Sequence, residues 1–141
     1  MGCDIHVHVE FKIRGKWLHY NRPNVNRNYA LFAAMAGVRA FEDSDPPIAE
    51  PRGIPKNATE TTKFDFKRYG EDAHTPSWLS CKEMAVLEKQ AAEFYGEKAG
   101  PWDMARDFGW FFGGSFSGFT EYPNDRPAGV QDVRVVFWFD N

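Results

Sequence analysis

The sequence predicts an α+β domain. An antiparallel sheet would be formed by an N-terminal β-hairpin and a C-terminal strand, and it would pack against two or three helices joined by long irregular loops. Three patterns favour this fold: apolar and polar residues alternate over residues 3–12, residues 131–140 are typical of a strand with one wholly apolar face at 133–139, and a capped amphipathic segment covers 80–95. At 141 residues, the chain is expected to form a single domain, 1–141.

The opening strand has two chemically different faces. Its odd positions are Cys, Ile, Val, Val and Phe, and its even positions carry Asp4, His6, His8, Glu10 and Lys12. Successive side chains of a strand point to opposite faces, so one face is apolar and the other gathers imidazoles and carboxylates. Such groups must be solvated, paired or used, and we expect a site there. A polar turn at 14–16 then leads into a return strand from residue 17.

Two helices are predicted with their ends. Asn28 can cap a helix over 29–36, and Gly37 suits its left-handed exit. The pattern Ser-x-x-Glu at Ser80 is a capping box, and it predicts a helix that ends near residue 95. Apolar side chains recur along this second helix at helical spacing, so they are expected to face the core.

The remaining segments are expected to be irregular, apart from one short helix opened by Pro101. Prolines interrupt 38–73, and so long a loop is usually functional or mobile. Residues 72–78 are expected to form a polar turn, and the glycine-rich stretch 113–118 a flexible loop, or less readily a nest of amides for an anion.

The last strand extends the polar face of the first. Its odd positions are Val133, Val135, Phe137 and Phe139, and its even positions include Arg134 and Trp138. If the first and last strands are neighbours, Arg134 and Trp138 lie on the same face as His6, His8 and Glu10. The odd-numbered, apolar face is the natural one to meet the helices.

The net charge, the cysteines and the length of the apolar runs limit the partners and the cellular location that can be expected for this chain. The net charge is −3 and no run of Lys or Arg occurs, which argues against duplex nucleic acid as the partner. The cysteines, Cys3 and Cys81, form no metal-type pair, and we expect reduced thiols in a cytoplasmic protein without a signal peptide. The longest apolar run, 29–38, is about half the length of a membrane span.

The even face of the opening strand permits two kinds of site. Asp4, His6 and His8 could hold Zn or Mn, because imidazoles two residues apart on a strand point the same way and Asp4 adds an oxygen donor. His74 or Glu10 would be a further ligand. The alternatives are contacts with a ligand other than a metal, or simple solvation of an edge hairpin.

Loop side chains could complete such a site. Arg27, Arg39 and Arg52 lie in or beside irregular segments, where a guanidinium can bind phosphate or pair with a nearby carboxylate. Asp72, His74 and Ser77 form a polar group, but no nucleophile elbow supports a catalytic triad. His74 is the most plausible site residue of that loop.

Five segments of the chain resemble a family of small phage and prophage proteins that begin with MGCDIH. They are MGCDIHVHVEFK, RNYALFAAMAGVR, PPIAEPRGIP, DAHTPSWLSCKEM and VRVVFWFDN, and the resemblance spans nearly the whole chain. The resemblance implies that Asp4, His6, Arg39, Arg52, His74 and Trp78 fall in characteristic motifs, but it implies no particular activity. A phage origin favours a protein that disarms a host defence in the cytoplasm of an infected bacterium, by analogy with proteins that capture or cleave cyclic nucleotide or cyclic ADP-ribose signals.

The leading hypothesis is a non-catalytic protein, without a cofactor, that sequesters a small anionic, nucleotide-like ligand. The arginines would bind the phosphates, the histidines and Glu10 would form hydrogen bonds with the ribose or base, and a tryptophan would stack on the base. The predicted ligand contacts are His6, His8, Glu10, Arg39, Arg52, His74, Trp78, Arg134 and Trp138. One alternative is a metal-dependent phosphoesterase that uses Asp4, His6 and His8. Another is an inhibitor of a host enzyme with an apolar patch at 110–112. A homo-oligomer is compatible with each hypothesis.

Overall fold

A computed structural model of the protein describes residues 2–95 and 116–141, with side chains described as far as residue 90 in the first range. The elements follow in the order β1 (Asp4–Ile13), β2 (Lys16–Asn21), α1 (Tyr29–Ala36), α2 (Glu60–Tyr69), β3 (His74–Ser80), α3 (Cys81–Tyr95), α4 (Phe116–Glu121) and β4 (Val130–Asp140). Short 3₁₀ turns follow α2 and α4, at Gly70–Asp72 and Pro123–Asp125.

The strands form one antiparallel sheet in the order β2-β1-β4-β3. The central pair, β1 and β4, keeps one register from Asp4 opposite Asp140 to Lys12 opposite Asp132, and a shift then places Ile13 opposite Val130. The predicted α+β fold is confirmed, because the hairpin and the C-terminal strand share this sheet and helices pack against it. None of the helices in the two described ranges is long and apolar enough to span a membrane.

The apolar face of the sheet carries the main hydrophobic core, as predicted. Odd-numbered residues of the central strands lie opposite each other, with Ile5 beside Phe139 and Val7 beside Phe137. They are buried together with apolar side chains of α1, α3 and α4, which are Leu31, Phe32, Met35, Met84, Leu87, Phe116 and Phe119. Burial of this area from water is the main stabilising term for the fold.

The predicted ends of two helices are confirmed. Asn28 Oδ1 accepts a hydrogen bond from the Leu31 amide, and Gly37 ends α1 with a φ of 73°. At α3, the Ser80 amide donates to Glu83 Oε1 while Ser80 Oγ accepts from the Glu83 amide, which is the reciprocal capping box.

The expectation of an irregular segment throughout 38–73 is wrong, because α2 lies within it. Thr59 caps this helix by accepting a bond from the Thr62 amide, and Gly70 ends it. The inward side chains of α2 include Thr62 and Asp65, which are buried although polar. They contact a polar sheet face, so the segment lacks the apolar repeat by which amphipathic helices are recognised.

The expectation of a turn at 72–78 is also wrong, because residues from His74 onward form the edge strand β3. The pairing with β4 shifts register between His74 and Ser77. Thr75 has a φ of 51°, which is outside the range of a regular strand, and Pro76 has no amide hydrogen to donate to β4. These two residues therefore interrupt the regular pairing of β3, and a proline within the segment argues against a strand when only the sequence is read.

Helices cover both faces of the sheet, which corrects the expectation that they cover only one. The second face, formed by even-numbered residues of β1 and β4, lies under α2. The predicted helix from Pro101, the patch at 110–112 and residues 113–115 lie outside the described residues. The expected glycine-rich loop is wrong for 116–118, which begin α4.

Candidate functional site

Polar and aromatic side chains fill the space between the second face and α2. This second-face cluster comprises His6, His8, Glu10, Trp17, His19, Arg22, Thr62, Asp65, Arg68, Tyr69, Arg134 and Trp138. The register sets its strand members side by side, with His6 opposite Trp138 and Glu10 opposite Arg134. The structure thus brings together five of the predicted ligand contacts, namely His6, His8, Glu10, Arg134 and Trp138.

A buried ion pair lies at one end of the cluster. Arg134 Nε donates to Glu10 Oε1 at 2.8 Å, and the other carboxylate oxygen accepts from the Thr59 amide and the Thr62 hydroxyl, each at 2.8 Å. Burial alone would raise the pKa of the Glu10 carboxyl, but the bonds from Thr59 and Thr62 and the charge of Arg134 hold it below its ordinary value. Arg134 also donates to Asn57. These bonds tie the start of α2 to the sheet.

A chain of hydrogen bonds crosses the middle of the cluster. His8 Nε2 lies 2.7 Å from Asp65 Oδ2, and His8 Nδ1 lies 2.8 Å from His19 Nε2. Burial lowers the pKa of His8, which is 1% exposed, despite the bond to Asp65. Burial lowers the pKa of His19 as well. Neutral His8 therefore donates from Nε2 to the carboxylate and accepts at Nδ1 from His19.

Two arginines hold the outer side of Asp65. Arg22 Nε lies 3.0 Å from Asp65 Oδ2, and Arg68 donates to Oδ1 from Nε at 3.2 Å and from Nη2 at 2.6 Å. Burial would raise the pKa of Asp65, but the bonds from Arg68 and His8 and the charge of Arg22 lower it. The Arg22 side chain is 43% exposed and the Arg68 side chain 56%. Asp65 therefore connects the buried hydrogen bonds of His8 and His19 to two solvent-exposed guanidinium groups.

His6 and Tyr69 meet at the open end of the cluster. Tyr69 Oη lies 3.0 Å from His6 Nδ1 and accepts a hydrogen bond from Arg22 Nη2 at 3.1 Å. On the other edge of the imidazole, His6 Nε2 lies 3.3 Å from Asp140 Oδ2. That contact has the distance of an ion pair but not hydrogen-bond geometry, so Nε2 has no hydrogen-bond partner among the described residues.

Trp138 is the aromatic centre of the cluster. It is fully buried, and His8 stacks on it with ring centroids 5.4 Å apart, while Phe66 and Tyr69 contact it edge-on. Its Nε1 donor has no partner among the described residues. Tryptophan N–H groups usually find a partner when they are buried, so this donor leaves one hydrogen bond unused inside the cluster.

Four of the predicted ligand contacts lie elsewhere. Arg39 lies over the Tyr29 ring, and His74 stacks on Phe139 at the edge of the apolar face. Trp78 is on the second face, but its contact is with Arg52, whose guanidinium lies 4.4 Å from the ring centroid. The same guanidinium pairs with Glu83 at 2.6 Å and donates to the carbonyl of Trp78. Arg52 therefore ties its loop to the start of α3.

The three predicted metal ligands have other partners. The Asp4 carboxylate pairs with Arg27 at 2.6 Å, and both side chains are about half exposed. His6 and His8 face Tyr69 and Asp65 as described. Within residues 2–95 and 116–141, no three His, Cys, Asp or Glu side chains are grouped so as to hold a metal ion. A metal at Asp4, His6 and His8 stays a prediction.

No protein-family model, curated protein or solved structure matches the chain.

Sequence reasoning missed the outer half of the cluster. Asp65, Arg68 and Tyr69 are spaced three and four residues apart on α2, so they share one side of that helix. The signal that could have found them is the pair of helix ends, with a Thr cap at residue 59 and Gly70 after a basic last turn. Arg22 carries no comparable signal, because it lies in the segment that follows β2.

Proposed function

We propose that the protein binds a small anionic ligand with a phosphate group at the open end of the second-face cluster. The observation that carries the proposal is the arrangement of Arg22 and Arg68. Asp65 forms an ion pair with Arg22 and accepts hydrogen bonds from Nε and Nη2 of Arg68, while the Nη1 group of each arginine donates to none of the described residues. Both side chains are about half exposed, and a planar guanidinium fork matches the oxygens of phosphate.

The charge balance at this end supports an anion. Asp65 is shared by two guanidinium groups, so its single negative charge compensates only one of them. The other carboxylate nearby, Asp140, contacts the opposite edge of His6 rather than the arginines. Because Asp65 already holds the arginines in place, binding would cost little side-chain entropy, which is the benefit of preorganisation.

An exposed aromatic ring favours a nucleotide-like ligand over free phosphate. Phe64 is 70% exposed and precedes Arg68 by four residues on α2, so the two side chains are neighbours on the helix surface. A base could stack on this ring while its phosphate contacts Arg68 and Arg22. Capture of such a molecule fits the phage-type role that the sequence resemblance suggests.

The proposal is tested by calorimetry and thermal shift with ADP-ribose and a cyclic dinucleotide, with uncharged adenosine as the control ligand. We expect a measurable affinity for at least one of the anionic compounds and much weaker binding of adenosine. Arg22→Gln and Arg68→Gln should each weaken binding about tenfold or more, because each removes a charge-assisted hydrogen-bond donor.

Lys67→Gln is the matched control variant. It removes a positive charge from the same helix at an exposed position next to Arg68, and Lys67 has no contact with Asp65. We expect it to bind like the wild type. Equal loss of affinity in all three variants would indicate nonspecific charge attraction and contradict the proposed site, as would the absence of binding by every anionic compound.

A further inference from the structure

We propose that Tyr69 is a nucleophile that attacks a phosphodiester bound at Arg22 and Arg68, with His6 as its general base and Asp140 as the residue that positions His6. This inference rests on the phosphate site proposed above, and it adds a covalent reaction to it. The substrate class is a phosphodiester such as a cyclic or dinucleotide ester, whose ribose oxygen must receive a proton as it leaves.

The hydroxyl of Tyr69 has the two neighbours that a nucleophile needs. His6 Nδ1 lies 3.0 Å away, within reach to take the phenolic proton. Arg22 Nη2 donates to the same oxygen at 3.1 Å, which stabilises negative charge as it develops there. The two rings are packed with centroids 4.2 Å apart, so the base and the hydroxyl are held together.

His6 also has a neighbour that can orient it. Asp140 Oδ2 lies 3.3 Å from Nε2, on the ring edge opposite Tyr69. A proton on Nε2 facing this carboxylate would leave Nδ1 as the acceptor, which is the tautomer that a general base requires. Catalytic hydrogen bonds are often long or poorly aligned before substrate binds, and this contact has that form.

The open end of the cluster differs from its interior in a way that favours reactivity. Glu10 and Arg134 are buried, and they are bonded to each other and to the start of α2. His6 Nε2, in contrast, lacks a hydrogen bond within the described residues, and the guanidinium beside Tyr69 is half exposed. A nucleophile, a base and an orienting carboxylate in series form the pattern of a nucleophilic triad.

The reaction balances without a further reactant. Tyr69 Oη forms a bond to phosphorus, and the bond from phosphorus to the leaving oxygen breaks. The phenolic proton moves to His6 Nδ1, and the resulting imidazolium, opposite Asp140, returns a proton to the leaving oxygen. The products are a phosphodiester of Tyr69 and a free alcohol or phenol, so the ligand is captured covalently.

Bis(4-nitrophenyl) phosphate is a direct probe of this step. We expect release of up to one equivalent of nitrophenolate per chain and a matching rise in intact mass, with the adduct mapped by peptide mass spectrometry to Tyr69. Tyr69→Phe should abolish the adduct while it retains the ring packing. His6→Gln should slow formation about 100-fold or more, as expected for loss of a general base.

Tyr122→Phe is the control variant, because Tyr122 is 59% exposed and lies at the start of the 3₁₀ turn Pro123–Asp125, away from α2. It should react like the wild type. Asp140→Asn tests positioning. A merely structural role would leave the pH dependence of adduct formation unchanged, whereas loss of the orienting carboxylate should slow the reaction and shift its pH profile.

The outcomes separate this inference from the proposed function. Arginine-dependent binding of ADP-ribose or the cyclic dinucleotide, without any adduct from the probe, overturns the nucleophile and leaves the binding site intact. An adduct mapped to any other residue in the wild type also overturns it, whether or not Tyr69→Phe folds. If no anionic ligand binds and no adduct forms, both proposals fall.

Discussion

The Glu10 carboxylate shows at the scale of one residue how the second face is stabilised. It is fully buried, and its oxygens accept bonds from Arg134, Thr59 and Thr62. Removing one partner of such a pair leaves a charge uncompensated in a low-dielectric site, which is far more costly than removing both.

We therefore predict that Glu10→Gln lowers the free energy of unfolding by about 3 kcal/mol. The measurement is urea unfolding followed by circular dichroism. Replacing both partners, with Glu10→Met and Arg134→Met together, should restore part of the loss. The exposed pair gives the control, because Asp4→Asn should cost much less than Glu10→Gln. Equal losses for the two variants would show that burial does not set the strength of the Glu10 pair.

Sequence patterns placed Glu10 and Arg134 on one face but did not pair them with each other. The alternation of polar and apolar residues defines which side of a strand a residue occupies. The partner across the ladder depends on register, which is set by the whole sheet rather than by either strand alone. Arg134, one of the arginines expected to hold a phosphate, is therefore bonded to Glu10. The half-exposed guanidinium groups beside Asp65 belong to Arg22 and Arg68, which the alternation of the strands does not reveal.

Among the helices, α1 and α3 could be predicted from the sequence, whereas α2 could not. Helix α1 and helix α3 were predicted because their caps accompany apolar side chains that face the main core. Helix α2 has caps too, but its inward side chains Thr62 and Asp65 are polar because they face a polar sheet surface. A search for apolar periodicity cannot find a helix of this kind.

Loss of its N-terminal cap should loosen α2 selectively. Thr59→Ala removes the side chain that accepts from the Thr62 amide, and we expect a cost of about 1 kcal/mol. Hydrogen exchange measured by mass spectrometry should show faster exchange across residues 60–69 than in the wild type, with residues 81–90 unchanged.

Ser80→Ala is the reciprocal control, because Ser80 caps α3. It should speed exchange in α3 and leave α2 protected. If either variant speeds amide exchange in both helices, α2 opens only when the whole molecule unfolds. That result would contradict the prediction that α2 opens separately from α3.

The whole molecule combines an apolar core on one side of the sheet with a hydrogen-bonded polar layer on the other. The two layers respond differently to acid, because the buried His, Asp and Glu side chains of the described residues, which are His8, Glu10 and Asp65, all lie in the polar layer. The pKa values of His8 and His19 are lowered in the fold, and so are those of the carboxyl groups of Glu10 and Asp65.

These shifts predict two windows of acid destabilisation. Below a pH of about 6.5, the unfolded chain binds protons at His8 and His19 that the folded chain does not, so the free energy of unfolding falls as pH falls. A second loss is expected below a pH of about 4.5, as Glu10 and Asp65 become protonated in the unfolded chain before they do in the fold.

Urea unfolding at pH 7.5, 6.5, 5.5 and 4.5 measures both windows. A double variant, His8→Gln with His19→Gln, should be less stable at pH 7.5 but should lose less stability between pH 7.5 and 5.5 than the wild type. An equally steep decline in the variant would show that these imidazoles do not determine the first window.

The two-faced strand β1 also has a consequence for folding fidelity. Pairing with β4 one residue out of step would turn His8 and Glu10 toward the helices α1 and α3 and would expose Val7 and Val9 to α2. A mispaired form would bury charged groups without partners and would remove apolar side chains from the main core. We therefore expect it to be much less stable than the native pairing. The different chemistry of the two faces thus favours the native register of β1 with β4, whether or not a ligand is bound.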